Sequence, residues 1–386
     1  TIMAIVKLNG VEGCDAALIN GVERADIDDC VGVDYSQCGA TRWMAGGGLG
    51  RIFTTSASNG LNGWGDGERT NGAVADVGNG SVFGIAYGRS GNDEADPDRW
   101  VVGLGLKSGA SGSIVYINSG SAHDGAGRPV YASASNWVSG GAPPGPQFQR
   151  QSIAYGNDVW MAGTLDVNVS GDYQTFYRST DFAANWTRLA ESNDEADESH
   201  AMCYKGTGNI WMAAHGKSIW KSTDNGANWS RIFEPDTAIW NCIAYDGARW
   251  MIAGSGGDAW YSDNDGTNWT DQSSRTGTSK EINGLVFMGG SVQRWIVVCA
   301  DGVAKSQTNA LIDADEDNWT NLSGPDSTTM NAIATDHVTA VAVGQSGRIW
   351  VTTNGTSWTA ADRNDNVGTQ SLKCIACDII GSGIYK

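Results

Sequence analysis

The chain has 386 residues, including 53 Gly, 17 Trp and 7 Pro, and its 25 Lys and Arg face 43 Asp and Glu, for a formal net charge of −18. Collagen is excluded because it needs far more Pro and a strict Gly period, and disorder is excluded because 40% of the residues are hydrophobic. The acidic charge lacks the basic footprint of a duplex-DNA binder, and no apolar run is long enough to span a membrane.

The first 29 residues differ from the rest of the chain. They contain two candidate strands, in MAIVKLNG and CDAALING. They lack the basic start, the long apolar stretch and the small-residue cleavage site of a signal peptide. We therefore expect synthesis in the cytoplasm, and we expect residues 1–29 to anchor the protein or to help close its fold.

From residue 30 onward, the chain repeats a hairpin pattern. Each repeat has a short apolar run, a turn with Gly or Asp and a second apolar run, most clearly at 152–163, 201–214, 241–254 and 284–298. Looser versions lie at 32–46, 84–103 and 331–344. A further strand and a second Trp follow each hairpin, at Trp64, Trp137, Trp186, Trp229, Trp269, Trp319 and Trp358.

The shortest spacings between these Trp residues set a unit of about 40 residues, the length of a four-stranded β-propeller blade. The sequence therefore predicts an all-β propeller over 30–369 with four-stranded antiparallel blades. The predicted blades are 30–75, 82–140, 149–190, 198–235, 238–275, 281–323 and 329–363, and 370–386 is predicted as a closing strand. Seven blades are expected if the terminal segments lie outside the blades, and eight if the termini share one; we favour seven.

The turn before the second Trp carries a recurrent Ser-x-Asp-x-Gly-x-x-Trp pattern. Asp and Ser side chains hydrogen-bond turn backbone, Gly supplies positive φ, and Trp buries a large ring. In three turns Ala183, Asn264 and Thr353 replace a pattern residue. The matching residues are Ser222, Asp224, Gly226 and Trp229; Ser179, Asp181 and Trp186; Ser262, Gly266 and Trp269; and Gly355 and Trp358. The pattern resembles the Asp-box, or BNR repeat, of a β-propeller superfamily.

The sialidase-like members of that superfamily imply a catalytic set of three arginines, a Tyr–Glu pair, an Asp acid and a Phe-Arg-Ile-Pro segment. The nearest segments here, around Arg51 and Arg231, lack the Pro, and Arg51 and Arg348 occupy repeat positions. The four histidines (123, 200, 215 and 337) show no metal-type spacing. The sequence therefore predicts no catalytic residues.

Calcium is the one cofactor that the acidic loops suggest. The string NDEAD occurs twice, interpreted as corresponding points of two blades, and gives the candidate ligands Asp93, Asp96, Asp194 and Asp197. The alternative is that these loops are simply solvated. The Gly-, Ser- and Pro-rich insertion at 104–150 is either a recognition loop or sequence drift.

Cysteine usage indicates no disulfide scaffold. Cys203, Cys242, Cys299 and Cys374 lie in apolar runs and are predicted to be buried thiols. Cys374 and Cys377 form a lone CxxC, and whether they pair is left open.

The repeat style also resembles the photosystem II assembly-factor propellers, which implies a protein partner, and Asp-box propellers of phage tails, fibres and decoration proteins. We expect a non-enzymatic propeller for protein–protein assembly or surface recognition, within a virion. The alternatives are a photosystem-assembly-like partner-binding propeller, and a glycan-binding protein or sialidase-like glycoside hydrolase.

Overall fold

The computed structural model describes residues 7–8, 11–12, 18–19, 22–23, 43–48, 51–55, 64–69, 81–88, 99–105, 113–118, 137–140, 148–166, 176–189, 199–235, 238–302, 304–308, 319–322, 326–361 and 367–377. Within them, the apolar runs and Gly-rich turns form seven four-stranded antiparallel sheets, the blades of a seven-bladed β-propeller. The all-β propeller prediction is therefore confirmed.

The blades are numbered I to VII, with each strand pairing with the next from the inside outward. Blade I contains β32 (Leu372–Cys377), β5 (Trp43–Gly47), β6 (Arg51–Thr55) and β7 (Gly65–Arg69). Blade II contains β8 (Val82–Gly88), β9 (Arg99–Leu104), β10 (Ser113–Asn118) and β11 (Val138–Ser139). Blade III contains β12 (Phe148–Gly156), β13 (Val159–Asp166), β14 (Phe176–Ser179) and β15 (Thr187–Arg188). Blade IV contains β16 (Ser199–Tyr204), β17 (Trp211–His215), β18 (Ser218–Ser222) and β19 (Ser230–Phe233).

The remaining blades follow the same order. Blade V contains β20 (Trp240–Tyr245), β21 (Trp250–Gly254), β22 (Ala259–Ser262) and β23 (Thr270–Asp271). Blade VI contains β24 (Ile282–Met288), β25 (Arg294–Cys299), β26 (Ala304–Thr308) and β27 (Thr320–Asn321). Blade VII contains β28 (Met330–Thr335), β29 (Ala340–Gly344), β30 (Ile349–Thr352) and β31 (Thr359–Ala360). One α-helical turn, Ser273–Thr276, follows blade V, and among the described residues no helix is long and apolar enough to cross a membrane.

The C-terminal strand closes the ring. Strand β32 pairs antiparallel with β5, with Ile375 opposite Ala45, and so supplies the inner strand of the first blade. A buried cluster that includes Trp43, Val341 and Leu372 then joins blade VII to blade I. The seven-blade prediction is correct, but the condition attached to it is wrong, because the C-terminal strand lies inside the ring. Pairing with β32 covers the edge of β5, which would otherwise be the unpaired inner edge of a three-stranded blade.

Near the N-terminus, two short hairpins pair only within themselves. They are β1 (Lys7–Leu8) with β2 (Val11–Glu12), and β3 (Leu18–Ile19) with β4 (Val22–Glu23). In both, the residues between the strands are Asn-Gly, the strongest short-range signal for a two-residue hairpin loop.

The core lies between blades rather than within them. Seven clusters of buried hydrophobic residues each join two adjacent blades. The second strand of six blades contributes a fully buried Trp: Trp43, Trp100, Trp160, Trp211, Trp250 and Trp295. In five blades this Trp packs across the pair on a Tyr or Phe of the inner strand, with ring centroids 4.7 to 5.1 Å apart.

Candidate functional site

The inner strands of all seven blades surround a central channel of about 360 Å³. Each blade meanders outward from its inner strand, so all seven inner strands begin at one face of the ring and end at the other. A volume of this size lies within the range of small-ligand sites.

A β-bulge that inserts one residue lies at the same level near the start of six inner strands, and in the seventh, β12, the register shifts earlier, between Phe148 and Gln151. In blade V, Trp240 pairs with Gly254 and Cys242 with Ala253, so Asn241 is an extra residue in the register. The same skip occurs in five other blades, and a bulge re-aims the side chain that it inserts. The six extra residues are all half-buried and line the channel, and we call them the mouth ring: Phe83, His200, Asn241, Asn283, Asn331 and Lys373.

Three asparagines occupy the mouth ring in blades V, VI and VII, and each is tied to the next blade. The Nδ2 of Asn241 donates to the carbonyl oxygen of Ile282 at 3.0 Å. In the same way, Asn283 donates to Met330 at 2.7 Å and Asn331 donates to the Leu372 carbonyl at 2.6 Å. Because the amide nitrogen must face a carbonyl oxygen, the orientation of all three amides is determined. We call these three residues the asparagine arc.

Charged and aromatic side chains complete the mouth. The Lys373 ammonium lies 4.2 Å from the centroid of the Phe83 ring, a cation–π contact across blades I and II. The Glu281 carboxylate, exposed beside the arc, accepts a 3.0 Å hydrogen bond from Asn241 Nδ2. The Asn241 end of the arc therefore lies beside a carboxylate, whereas the Lys373 ammonium follows the Asn331 end in the adjoining blade I and is held over Phe83.

Three positions beyond the bulge, small residues form a collar. Each pairs with an apolar residue of the second strand, for example Ala244 with Met251 and Val286 with Ile296. Small side chains at this level keep the bore open. The collar consists of Ala86, Ala154, Cys203, Ala244, Val286, Ala334 and Ala376.

The described residues that line the channel include Lys373, His200 and His337 but neither Asp nor Glu. Burial lowers the pKa of His337 to about 4, so it is neutral near pH 7. Burial raises the pKa of the Cys203 and Cys374 thiols to about 12, so both remain protonated. Among the described residues, no group of three or more His, Cys, Asp or Glu could hold a metal ion.

The opposite face carries the turns between the third and fourth strands, which we call the outer turns. In blade IV, Ser222 Oγ donates to Asp224 at 2.8 Å and accepts from the Gly226 amide at 3.0 Å. The Asp224 carboxylate also accepts from the amide and side chain of Asn228, at 2.9 and 2.6 Å. Although burial raises the pKa of Asp224, these hydrogen bonds lower it overall. Ser179, Asp181 and Asn185 make the same bonds in blade III.

Two outer turns show how the pattern tolerates change. In blade V, Asn264 replaces Asp and still accepts from Ser262 at 3.1 Å and from the Asn268 amide at 2.9 Å. The turn of blade VII is one residue shorter. There the assignment of Thr353 to the Asp position is wrong, because Asn354 accepts the Thr356 and Ser357 amides at 2.9 and 3.0 Å.

The Trp residues that follow these turns pack on the preceding blade. Trp229 stacks on Phe176 with centroids 4.5 Å apart, and Trp269 stacks on Phe233 at 5.4 Å. Trp186 and Trp358 are buried. The outer turns therefore hold neighbouring blades together.

The arginines considered for a substrate clamp are dispersed. Arg51 lies in the third strand of blade I. Arg231 lies in the outer strand of blade IV and pairs with Glu234 at 2.7 Å. Arg348 pairs with Asp326 at 2.9 Å in blade VII. The structure does not bring them together as a clamp.

The remaining candidates from the sequence are histidines and cysteines. His215 is buried against Phe176 and Trp220, and His123 lies outside the described residues. Cys374 and Cys377 do not form a disulfide with each other, and their thiols donate to different neighbours, the carbonyls of Val82 in blade II and Thr335 in blade VII.

The calcium candidates Asp93, Asp96, Asp194 and Asp197 lie outside the described residues. The flanking strands nevertheless show that the two NDEAD strings are not at corresponding points. The first connects β8 to β9 within blade II, whereas the second connects β15 of blade III to β16 of blade IV.

Neither a known protein family nor a curated protein matches this sequence. Solved structures do match. A GH74 xyloglucanase from Xanthomonas campestris has a TM-score of 0.54 at 14% identity, over 84% of this chain and 56% of that one, so the chain spans just over half of the xyloglucanase. YCF48 from Cyanidioschyzon merolae has a TM-score of 0.51 at 12% identity, over 75% of this chain and 86% of that one.

The computationally designed Ika8 protein has a TM-score of 0.50 at 14% identity, with 86% of each chain covered. At such identities these similarities establish the propeller fold alone. An assembly factor and a glycoside hydrolase type of propeller both occur among them, so the fold by itself does not decide between binding and catalysis.

Proposed function

We propose that this propeller is a non-enzymatic binding module that recognises a protein partner at the mouth ring. The observation that carries the proposal is the variation within that ring. Six structurally equivalent bulges hold Phe, His, Asn and Lys, whereas the adjacent collar is small and apolar in every blade. Positions that are equivalent in the fold but differ in chemistry are suited to recognition on a rigid scaffold.

The channel chemistry supports binding over glycoside hydrolysis. Most glycosidases use two carboxyl groups on either side of the bond that they cleave. The described lining of this channel offers Lys373, two histidines and amides instead. A glycan remains the second candidate ligand, because Phe83 and the amides are side chains that sugar-binding sites use.

We further propose that the outer turns are Asp-boxes and that the propeller is part of a virus particle. The Ser222–Asp224–Asn228 hydrogen bonds support the first assignment. A ring closed by its own C-terminal strand, preceded by two separate hairpins, supports the second, because it combines a stable platform with a segment available for attachment.

Photo-crosslinking in the cells that make the protein tests recognition at the mouth. A benzophenone amino acid in place of Phe83 should crosslink one discrete protein. The same residue in place of Val338, which is 64% exposed at the opposite end of the channel, is the matched control. Equal crosslinking at both positions, or none at position 83, would overturn the proposed site.

The particle assignment needs a separate experiment. Particles purified through a density gradient should contain this chain in a constant ratio to the major coat protein, measured by quantitative mass spectrometry. Recovery of the chain only in the soluble fractions would refute the virion role, and the crosslinking result would be unaffected.

A further inference from the structure

The asparagine arc presents three carbonyl oxygens with one orientation. Each amide nitrogen is already engaged: Asn331, for example, donates to Leu372 O at 2.6 Å and to Ser371 Oγ at 3.4 Å. The three Oδ1 atoms accept no hydrogen bond from the described residues, and their side chains are half-buried beside the channel. An acceptor in this position is best satisfied by a donor from a ligand.

The charges around the arc determine which kind of hydrogen-bond donor binds to its oxygens. The Glu281 carboxylate lies against Asn241 and adds a formal negative charge to the arc. The only mouth-ring ammonium among the described residues, that of Lys373, is held over Phe83, one blade beyond Asn331 and three blades from Asn241. The chain as a whole carries a net charge of −18. Together these features attract a cation and disfavour an anion at the Asn241 end of the arc, where Glu281 lies and Lys373 is farthest away.

The collar limits how deeply a cation can enter. Below the arc, blades V to VII contribute Ala244, Val286 and Ala334, which offer no polar side chain. Moving an ammonium or guanidinium past this level would exchange its hydrogen bonds to the arc oxygens and its attraction to Glu281 for hydrogen bonds to water alone. The charged group is therefore expected to stop at the arc.

We infer that the asparagine arc, with Glu281, receives a Lys or Arg side chain of the partner protein. Such a side chain carries three or five donors on a long stem, enough to engage several oxygens at once. The inference rests on the proposed function, because it specifies the chemistry of the partner at the mouth ring.

The test uses two capped tripeptides, acetyl-Gly-Lys-Gly-amide and acetyl-Gly-Glu-Gly-amide, titrated to millimolar concentration into isotopically labelled protein. The Lys peptide should shift the side-chain amide signals of Asn241, Asn283 and Asn331 in a saturable way, and the Glu peptide should not. No shift with the Lys peptide, or an equal shift with the Glu peptide, would overturn the inference.

Charge variants test whether binding of the Lys peptide depends on the charges at the arc itself. Glu281→Gln keeps the acceptor for Asn241 and should raise the Kd for the Lys peptide about threefold to tenfold. Glu234→Gln changes the net charge equally at an exposed carboxylate outside the mouth and should leave it unchanged. Lys373→Met, which preserves contact with Phe83, should lower the Kd about twofold to fivefold. Equal effects of the two Glu variants would contradict the inference.

Failure of the inference and failure of the proposed function are distinguishable. Crosslinking of a partner at position 83 together with no response to the Lys peptide would leave the recognition site standing and remove the basic side chain. Absence of crosslinking at position 83 would remove the recognition site itself.

Discussion

Asn331→Ala should loosen the closure of the ring. The side chain joins blade VII to β32, the C-terminal strand, through hydrogen bonds of 2.6 Å to Leu372 O and 3.4 Å to Ser371 Oγ. A net hydrogen bond contributes about 1 kcal/mol, and an unpaired carbonyl adds a cost of about 1–3 kcal/mol. Because the channel admits water to that carbonyl, we expect a total loss of roughly 1–2 kcal/mol.

The control is Asn283→Ala, which removes the equivalent 2.7 Å bond to Met330 O between blades VI and VII. Both variants should lower the free energy of unfolding by urea to a similar extent. Only Asn331→Ala should speed amide hydrogen exchange in 372–377, because this contact ties β32, the last of the described strands, to blade VII, whereas Asn283 contacts β28 instead. Unchanged exchange in 372–377, or equal acceleration in both variants, would refute this account of closure.

Three further outcomes are expected. Asp224→Ala should lower the free energy of unfolding by roughly 1–2 kcal/mol at pH 7, whereas Asp224→Asn should cost less, because Asn264 makes the corresponding bonds in blade V. Since the pKa of Asp224 is lowered in the folded protein, the wild type loses stability as the pH falls through the carboxylate range, and the deficit of each variant relative to it should shrink, which urea titrations at several pH values would show. Ala183→Gly should stabilise by about 0.5–1 kcal/mol in the same assay, because Ala183 has a φ of 64° that Gly adopts without strain, and a loss of stability would contradict this. His337→Asn should flatten the loss of stability between pH 6.5 and 4, because the unfolded chain binds a proton in that range that the folded chain excludes; an unchanged pH profile would argue against burial of the neutral imidazole.

The repeats predicted the propeller because its physical cause is periodic. Every blade needs apolar inner strands and a large ring at the blade interface, so Trp211 and Trp250 recur at one position and Trp229 and Trp269 at another. The ring closure was harder to predict. The sequence predicts the tail as a closing strand, but its partner β5 is more than 300 residues away in the sequence, and the local pattern does not show which blade lacks its inner strand.

The mouth ring was missed for a related reason. Its members share no single pattern, since three are Asn but Phe83, His200 and Lys373 have nothing in common as residue types. Only the pairing register shows that each is an extra residue at one level of the channel. The sequence does contain one indication of the mouth ring. The residue just before each aligned inner strand varies from blade to blade, while the residues that follow stay small or apolar.

The two faces of the ring therefore bear different constraints. On the outer-turn face, the Asp224 bonds recur from blade to blade, so a change there lowers stability before it alters recognition. At the mouth, the contacts of Phe83, Glu281 and Lys373 do not recur from blade to blade. Changes at these positions alter the charge and shape of the mouth and lower the stability of the fold only slightly. The asparagine arc contributes to both stability and recognition, because each amide joins two blades and also presents an oxygen to the channel. Substituting an arc residue would mix the two effects, which is why Glu281 and Lys373 are the positions that separate recognition from stability.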